Sequence, residues 1–548
     1  MLYIPTLFLS LFITITLIPI LKTVAMKAHV VDMPNERKVH SKPMPKVGGI
    51  AFAFGALIPV LFTNDFIHPD KFVLSMMIGA WFIVFFGFLD DVKELGYRTK
   101  FLGQMIASFV VVFYGGLSIN NLGNLLPGDM QLPPVVAIPL TLITIIGVTN
   151  AINLADGLDG LAGGISLLSF VCIGYLAYST DCSGIALISV AMVGGLFGFL
   201  RFNTYPASVF MGDAGSQLIG FLAIVLSLKL TQGNTPLSPM LPLLLLGFPV
   251  LDTLTVMTER KMNGKPMFVA DKNHFHHKLM QLGLYHTEAV FLIYIIQAIL
   301  VTFAFLLRFY SEWCLLSFYL LFTCSVFISV LWANKKKYQF KRPGLIDSFI
   351  KQRLKKIKKE NSLIKISYRI IQLMLPFILL FSILLIGKVP LYISSFAILF
   401  VLLILFSAGL IKKWTAGILS LSLYLLIPYM IYAAETNSVV WATEHVIEAY
   451  NISYIILAVF VAFTIKFTRR TKGFKATPMD FIILFAALAI PNLPGPGIQN
   501  YGMGMVAIKI IVLFFSFEVW ICEQRGKLFR PGAAIIATLL LFAIRGMF

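Results

Sequence analysis

The feature that most constrains this chain is its repeated apolar runs, each about 20 residues long and nearly free of charge. Phe72 to Leu89 is one, Leu140 to Leu154 with its Pro134–Pro139 lead-in is another, and Phe377 to Ile411 is a pair split at Lys388–Pro390. A run of this length crosses the hydrocarbon core of a bilayer as a helix. In lipid the backbone must satisfy its own polar groups, which open strands cannot do. Composition supports this reading. The chain is 58% hydrophobic and only 13% charged, too little polar surface for a soluble protein of this length. The expected fold is an all-α polytopic membrane protein with about 18 transmembrane helices, eleven in residues 1–333 and about seven in residues 364–548.

A formal net charge of +19 taken alone would suit a nucleic-acid partner, but the distribution of charge argues against one. When the loops are assigned alternately to two sides, all but six of the 44 Lys and Arg fall on one side; the six are Lys71, Lys229, Arg308, Lys388, Lys509 and Arg545. Basic loops face the cytosol, so the asymmetry reports orientation and leaves both termini outside. Met1 to Ile20 has no charge ahead of its apolar run, unlike a cleavable leader. The five cysteines show neither CxxC nor metal-ligand spacing and read as small apolar fillers.

Two parts are legible. Residues 1–333 carry long, polar cytosolic loops. Residues 334–363 are a basic cytosolic linker (KKKYQFKRP, then KQRLKKIKKE), either a solvated connector or a helix on the membrane surface. Residues 364–548 form an additional membrane domain with short loops and no function readable from its residues. In the first part Asp90, Asp91, Asp156, Asp159, Asp213, Asp252 and the His274–His277 group all lie at cytosolic ends of spans or in cytosolic loops. A transporter or flippase tends to place ionisable groups near the membrane midplane. Polar groups gathered at one interface favour chemistry between a lipid headgroup and a cytosolic solute.

The residue types point to phosphate chemistry. Asp90 and Asp91, in GFLDDVKEL, are adjacent carboxylates at a helix end, costly unless a cation neutralises them and suited to Mg²⁺. In NAINLADGLDGLAGG, Asn150, Asn153, Asp156 and Asp159 recur every third residue, which on a helix keeps them near one face. Asp213, in SVFMGDAGSQ, precedes an apolar run, either as the helix N-cap or as a metal ligand where phosphate is also favoured. His274, His276 and His277 cluster with Lys272 and Lys278; no matching Cys or second His group supports zinc, and imidazole and ammonium donors suit a diphosphate. The first cytosolic loop adds Arg37, Lys38, His40, Lys42 and Lys46.

In order and spacing, DMPNERKVH, the proline-rich stretch into GGIAF, GFLDDVKEL, NAINLADGLDGLAGG, FMGDAGS and HFHH resemble the polyprenyl-phosphate N-acetylhexosamine-1-phosphate transferases, which include the WecA, TagO and MraY proteins. The resemblance covers about residues 1–333. It implies Mg²⁺-dependent transfer (with Mn²⁺ as an alternative ion) of a sugar 1-phosphate from a UDP-N-acetylhexosamine to polyprenyl phosphate at the inner membrane, releasing UMP. It further implies that Asp90 and Asp91 hold Mg²⁺ and orient or deprotonate the lipid phosphate, with Asp213 as principal metal ligand. Phe210 would stack on uracil, Asn153, Asp156 and Asp159 would line the nucleotide pocket, and Lys42, Lys272, His274, His276 and His277 would bind substrate. Lys272 stands where many relatives carry Arg, and a point charge cannot make the guanidinium fork. The HxHH form favours UDP-GlcNAc over UDP-MurNAc-pentapeptide as donor. A homodimer is left open.

Overall fold

The computed structural model describes residues 3–33, 43–61, 70–93, 96–127, 130–233, 235–262, 264, 274–336, 362–387, 389–410, 412–436, 441, 443–467, 503–523 and 529–546. Apart from a two-residue antiparallel ladder, in which Val31 pairs with Pro45 and Asp32 with Met44, the described regular structure is helical. Ten of the described helices are long and apolar enough to cross a membrane, and four shorter apolar helices accompany them. The basic stretch 337–361, Lys42 and Lys272 lie outside the described residues.

The described residues up to Lys336 form one compact unit and those from Ser362 onward another. The axis of the first is the Gly212–Gln232 helix, buried along nearly its whole length. Around it pack Lys71–Lys93, Pro134–Ala155 and Gly48–Leu61. Small residues allow this. A Cβ on Gly49 would run into the backbone of Gly215, and one on Gly87 into that of Ala214. Close backbone approach is how helices associate where lipid removes the hydrophobic drive. The Pro134–Ala155 helix starts at proline because the first turn needs no N–H from that residue.

One span is broken. Leu241–Leu245 and Gly247–Met262 are separate helices, and side chains hydrogen-bond the backbone at the break. Leu245 O, freed at the end of the first helix, accepts from Gln297 Nε2 at 2.8 Å and Ser169 Oγ at 2.7 Å, and the Tyr319 hydroxyl donates to Gly247 O, in the first turn of the second, at 2.9 Å. Without such partners, the break would be too costly at membrane depth.

In the second unit the described helices are Ser362–Leu385, Leu391–Leu410, Lys412–Thr436, Glu444–Phe467, Met503–Glu523 and Phe529–Arg545. Their shared core includes Leu379, Leu419, Ile431, Leu457, Leu513 and Trp520.

Candidate active site

Asp90 and Asp91 are the last acidic residues of the Lys71–Lys93 helix, and both are buried. They face the first turn of Gly212–Gln232. Gly212 has φ +74° and lies against the Asp91 carboxylate, where a Cβ would collide with it. Asp91 Oδ1 accepts the Asp213 N–H at 2.9 Å and its Oδ2 accepts the Ala214 N–H at 3.1 Å. Asp91 thus satisfies the free amides of that helix from a neighbouring helix. Asp213 does not cap its own helix, and its side chain meets Lys100 instead. Lys100 Nζ also reaches Asp90 Oδ2 at 2.7 Å, while Asp90 Oδ1 is buried with no partner. Burial works against the charge on Lys100, but Asp213 and Asp90 outweigh it and hold its pKa above the ordinary lysine value.

The spacing of three in NAINLADGLDG does not continue on one helix. The helix ends at Ala155; Asp156 and Asp159 lie in the following turn, and Gly160 has φ +80°. The break follows from Gly157 and Gly160, which favour a turn over another helical turn. Asn153 stays on the helix, where its Oδ1 accepts the Ser216 hydroxyl at 2.6 Å. The turn is pinned on three sides. The Asp159 N–H donates to His286 Nε2 at 3.1 Å, and Asp159 Oδ2 accepts from the Ala207 N–H at 2.9 Å. The Gly160 N–H donates to Asn203 Oδ1 at 2.9 Å, and Gly160 O accepts the Tyr294 hydroxyl at 2.5 Å. Burial, then the charges of Asp213, Asp159 and Asp91, push the Asp156 carboxyl up to about 7.

The histidines are organised by Asp252. Its Oδ2 meets His274 Nδ1 at 2.9 Å and its Oδ1 accepts the Phe275 N–H at 2.7 Å, so one carboxylate fixes the start of Phe275–Gln281. His276 is buried; its Nε2 has no partner and lies against Gly157, joining the histidine motif to the aspartate turn. Burial, then the neighbouring His277, drive its pKa down to about 3, so it is neutral at physiological pH. The ring of His277 stands 4.2 Å from that of His276. Lys278 pairs with Glu259 at 2.5 Å. Phe210 is placed by its backbone: its N–H donates to Pro45 O at 2.9 Å and its carbonyl accepts from Gly48 N–H at 3.0 Å.

The structure therefore gathers Asp90 and Asp213 around Lys100, sets Asp91 on the backbone of Asp213 and Ala214, joins Asn153 to the same helix through Ser216, and sets the Asp156 turn against His276. Sequence reasoning missed Lys100, Asn203 and His286 as site residues and did not assign Asp252 a role. Lys100 carries a faint signal, since it opens a new helix just past the acidic pair, in YRTKFLGQ.

Fold and site together define a polytopic helical membrane protein whose carboxylates, a bridging lysine and an ordered histidine cluster meet at the ends of its spans. Residues 73–231 match glycosyl transferase family 4. The chain is 36% identical over 323 residues to a probable undecaprenyl-phosphate N-acetylglucosaminyl 1-phosphate transferase of Bacillus subtilis, a match covering 59% of this chain and 89% of that protein. It is 34% identical over 309 residues to the undecaprenyl-phosphate alpha-N-acetylglucosaminyl 1-phosphate transferase of Yersinia pestis, covering 55% and 84%. It is 31% identical over 365 residues to the protein of the same description from Salmonella typhi, covering 64% and 95%. The chain belongs to glycosyl transferase family 4, alongside these polyprenyl-phosphate phosphosugar transferases. The three matches leave more than a third of the chain without a counterpart.

Proposed function

We propose that the protein transfers N-acetylglucosamine 1-phosphate from UDP-GlcNAc to undecaprenyl phosphate, the initiating step of cell-envelope polysaccharide synthesis. An oxygen of the lipid phosphate attacks the sugar-bearing phosphorus; the bond to the bridging oxygen of the diphosphate breaks, and UMP leaves. The observation that carries this reading is the Asp90–Lys100–Asp213 cluster, seated beside a helix N-terminus by Asp91, in a chain of this family.

Joining two phosphate anions needs charge neutralisation and in-line placement more than covalent help. Among the described residues no three carboxylate, imidazole or thiol groups converge on one point. The donor set nevertheless suits Mg²⁺, which takes one or two carboxylates and completes its shell with water and substrate phosphate. Asp90, with Oδ1 buried and unpaired, and Asp213 would hold it. When bound, the ion neutralises the diphosphate and polarises the phosphorus under attack. Asp91 has both oxygens engaged and serves as a seat for Asp213. Lys100 spreads positive charge across the reacting phosphates. Asn153, Asp156 and Asp159 face the nucleotide, Phe210 stacks on uracil, and Lys42 and Lys272 add cationic contacts. His274, with Nδ1 held by Asp252, keeps Nε2 for the diphosphate; neutral His276 flanks it, with His277 beside His276.

The same reading puts the site on the cytosolic face of the inner membrane. It places eleven spans in residues 1–333, a basic linker at 334–363 and about seven further spans in 364–548. The test is transfer by detergent-purified protein given undecaprenyl phosphate, Mg²⁺ and, separately, UDP-GlcNAc, UDP-GalNAc or UDP-MurNAc-pentapeptide. UMP release with UDP-GlcNAc is expected, abolished by EDTA. Asp213→Asn should lower it by about 10³-fold with folding intact. Folded protein that consumes none of the donors would overturn the reading.

A further inference from the structure

We propose that Gln104, Asn150 and Gln217 form a positioning ladder that sets the rotation of the three helices bearing Lys100, Asn153 and Asp213; the proposal rests on the transfer reading above. Each amide stands about one helical turn from a site residue on the same helix: Gln104 four residues past Lys100, Gln217 four past Asp213, and Asn150 three before Asn153. Gln104 is the hub. Its Nε2 donates to Asn150 Oδ1 at 3.2 Å and to Gln217 Oε1 at 3.1 Å, and its Oε1 accepts from Asn150 Nδ2 at 2.8 Å. Asn150 Nδ2 also donates to Ile146 O at 3.0 Å, tying the hub to its own helix. Gln104 and Gln217 are fully enclosed by protein.

Apolar packing between helices is non-directional, and a helix turned by one residue rotates its side chains by about 100°. Three amides that must meet head to tail do not survive such a turn, because each would be left buried and unpaired. Hydrogen bonds between membrane helices add little net stability. This ladder even leaves Gln217 Nε2 buried without a partner, an arrangement poorly suited to stability alone. What it fixes is the rotation that brings Lys100 onto Asp90 and Asp213, and Asn153 onto Ser216.

The experiment replaces Gln104 by the nearly isosteric Leu in the full chain. The expected kcat per folded molecule falls about 10- to 100-fold, as small misplacements of reacting groups do, while KM for UDP-GlcNAc stays close to wild type and the melting temperature falls only modestly, from the Asn150 and Gln217 amides left without the hub. The Gln104→Leu/Asn150→Leu double variant should lose no more than the single one, the behaviour of a unit. A second readout does not depend on turnover: zero-length carbodiimide coupling of Lys100 to Asp213, mapped by mass spectrometry, should drop several-fold in Gln104→Leu. Unchanged coupling overturns the ladder even in a protein that turns over no donor. A loss of kcat that only follows loss of folded protein overturns it too. Wild-type inactivity with reduced coupling in the variant would instead count against the transfer reading.

Discussion

The two units handle buried charge in opposite ways. In the first, Asp90, Asp91, Asp156 and Asp213 crowd together, and the ammonium bonded among them is Lys100, about a third of whose side chain reaches solvent. In the second, Lys509 is almost wholly enclosed and, among the described residues, is ion-paired with Glu435. Its Nζ stands 4.2 Å from the centre of the Tyr450 ring and 5.4 Å from that of Tyr454. The tyrosine hydroxyls close on one another at 3.1 Å, and Tyr450 closes on Ser382 at 2.7 Å. One site holds an excess of negative charge at an open rim; the other is balanced, hydrogen-bonded and shut. An unbalanced acidic cluster is complete only with a cation and an anionic substrate, whereas a balanced pair needs nothing further. The difference separates a place for chemistry from a clasp between helices.

The comparison breaks most readily at Lys509. Removing one member of a buried pair leaves an uncompensated charge, so Lys509→Met should cost the second unit about 3–5 kcal/mol. Lys509→Met/Glu435→Leu should recover most of that, since the pair itself contributes little net stability. Thermal unfolding in detergent reads both, and transfer per folded molecule should remain at the wild-type level. A Lys509→Met protein that stays fully folded but loses turnover would make the pair part of the function, and the contrast would fail.

Lys100 sharpens the same contrast from the other side. If it holds the place of positive charge in an otherwise acidic site, Lys100→Met should bind Mg²⁺ more tightly, because a competing cation has gone. Turnover should fall about 100-fold, as for loss of one preorganised charge at a reacting phosphate. Titration of Mg²⁺-dependent thermal protection, beside the transfer assay, separates the two effects. Weaker Mg²⁺ protection in this variant would show that Lys100 orders the carboxylates rather than competing for them.

That the chain is a bundle of membrane-length helices was legible because hydrophobic length is a property of contiguous residues, although ten described helices, not 18, are long and apolar enough to cross a membrane. Phe72–Leu89 became Lys71–Lys93, and the split at Lys388–Pro390 falls between Ser362–Leu385 and Leu391–Leu410. The acidic and histidine positions were legible as residue types, but their partners were not. Asp91 caps a helix more than 120 residues away along the chain, and Asp252 orders His274 from a separate helix. No local pattern encodes either contact. The end of the Pro134–Ala155 helix was misjudged because a period of three outweighed the turn preference of Gly157 and Gly160. The break before Gly247 had a signal, Gly247 and Pro249 within an apolar run, which hydropathy alone passes over.

The smallest expected effect concerns Asp156, at the crowded end of the comparison. Its carboxyl is held at about 7 by burial and then by Asp213, Asp159 and Asp91, against 3.8 for the free group. Between those values the unfolded chain has released a proton that the folded chain keeps, so stability falls as pH rises through that window and the penalty is complete above it. Asn cannot ionise. In metal-free detergent solution Asp156→Asn should match wild type near pH 4 and gain on it as pH rises to about 7, by up to about 2 kcal/mol, with no further gain beyond. Adding Mg²⁺ should shrink the gain, because a bound cation relieves the same repulsion. A gain independent of pH would show that the variant improves packing, and an advantage largest in acid would reverse the sign of the proposed crowding.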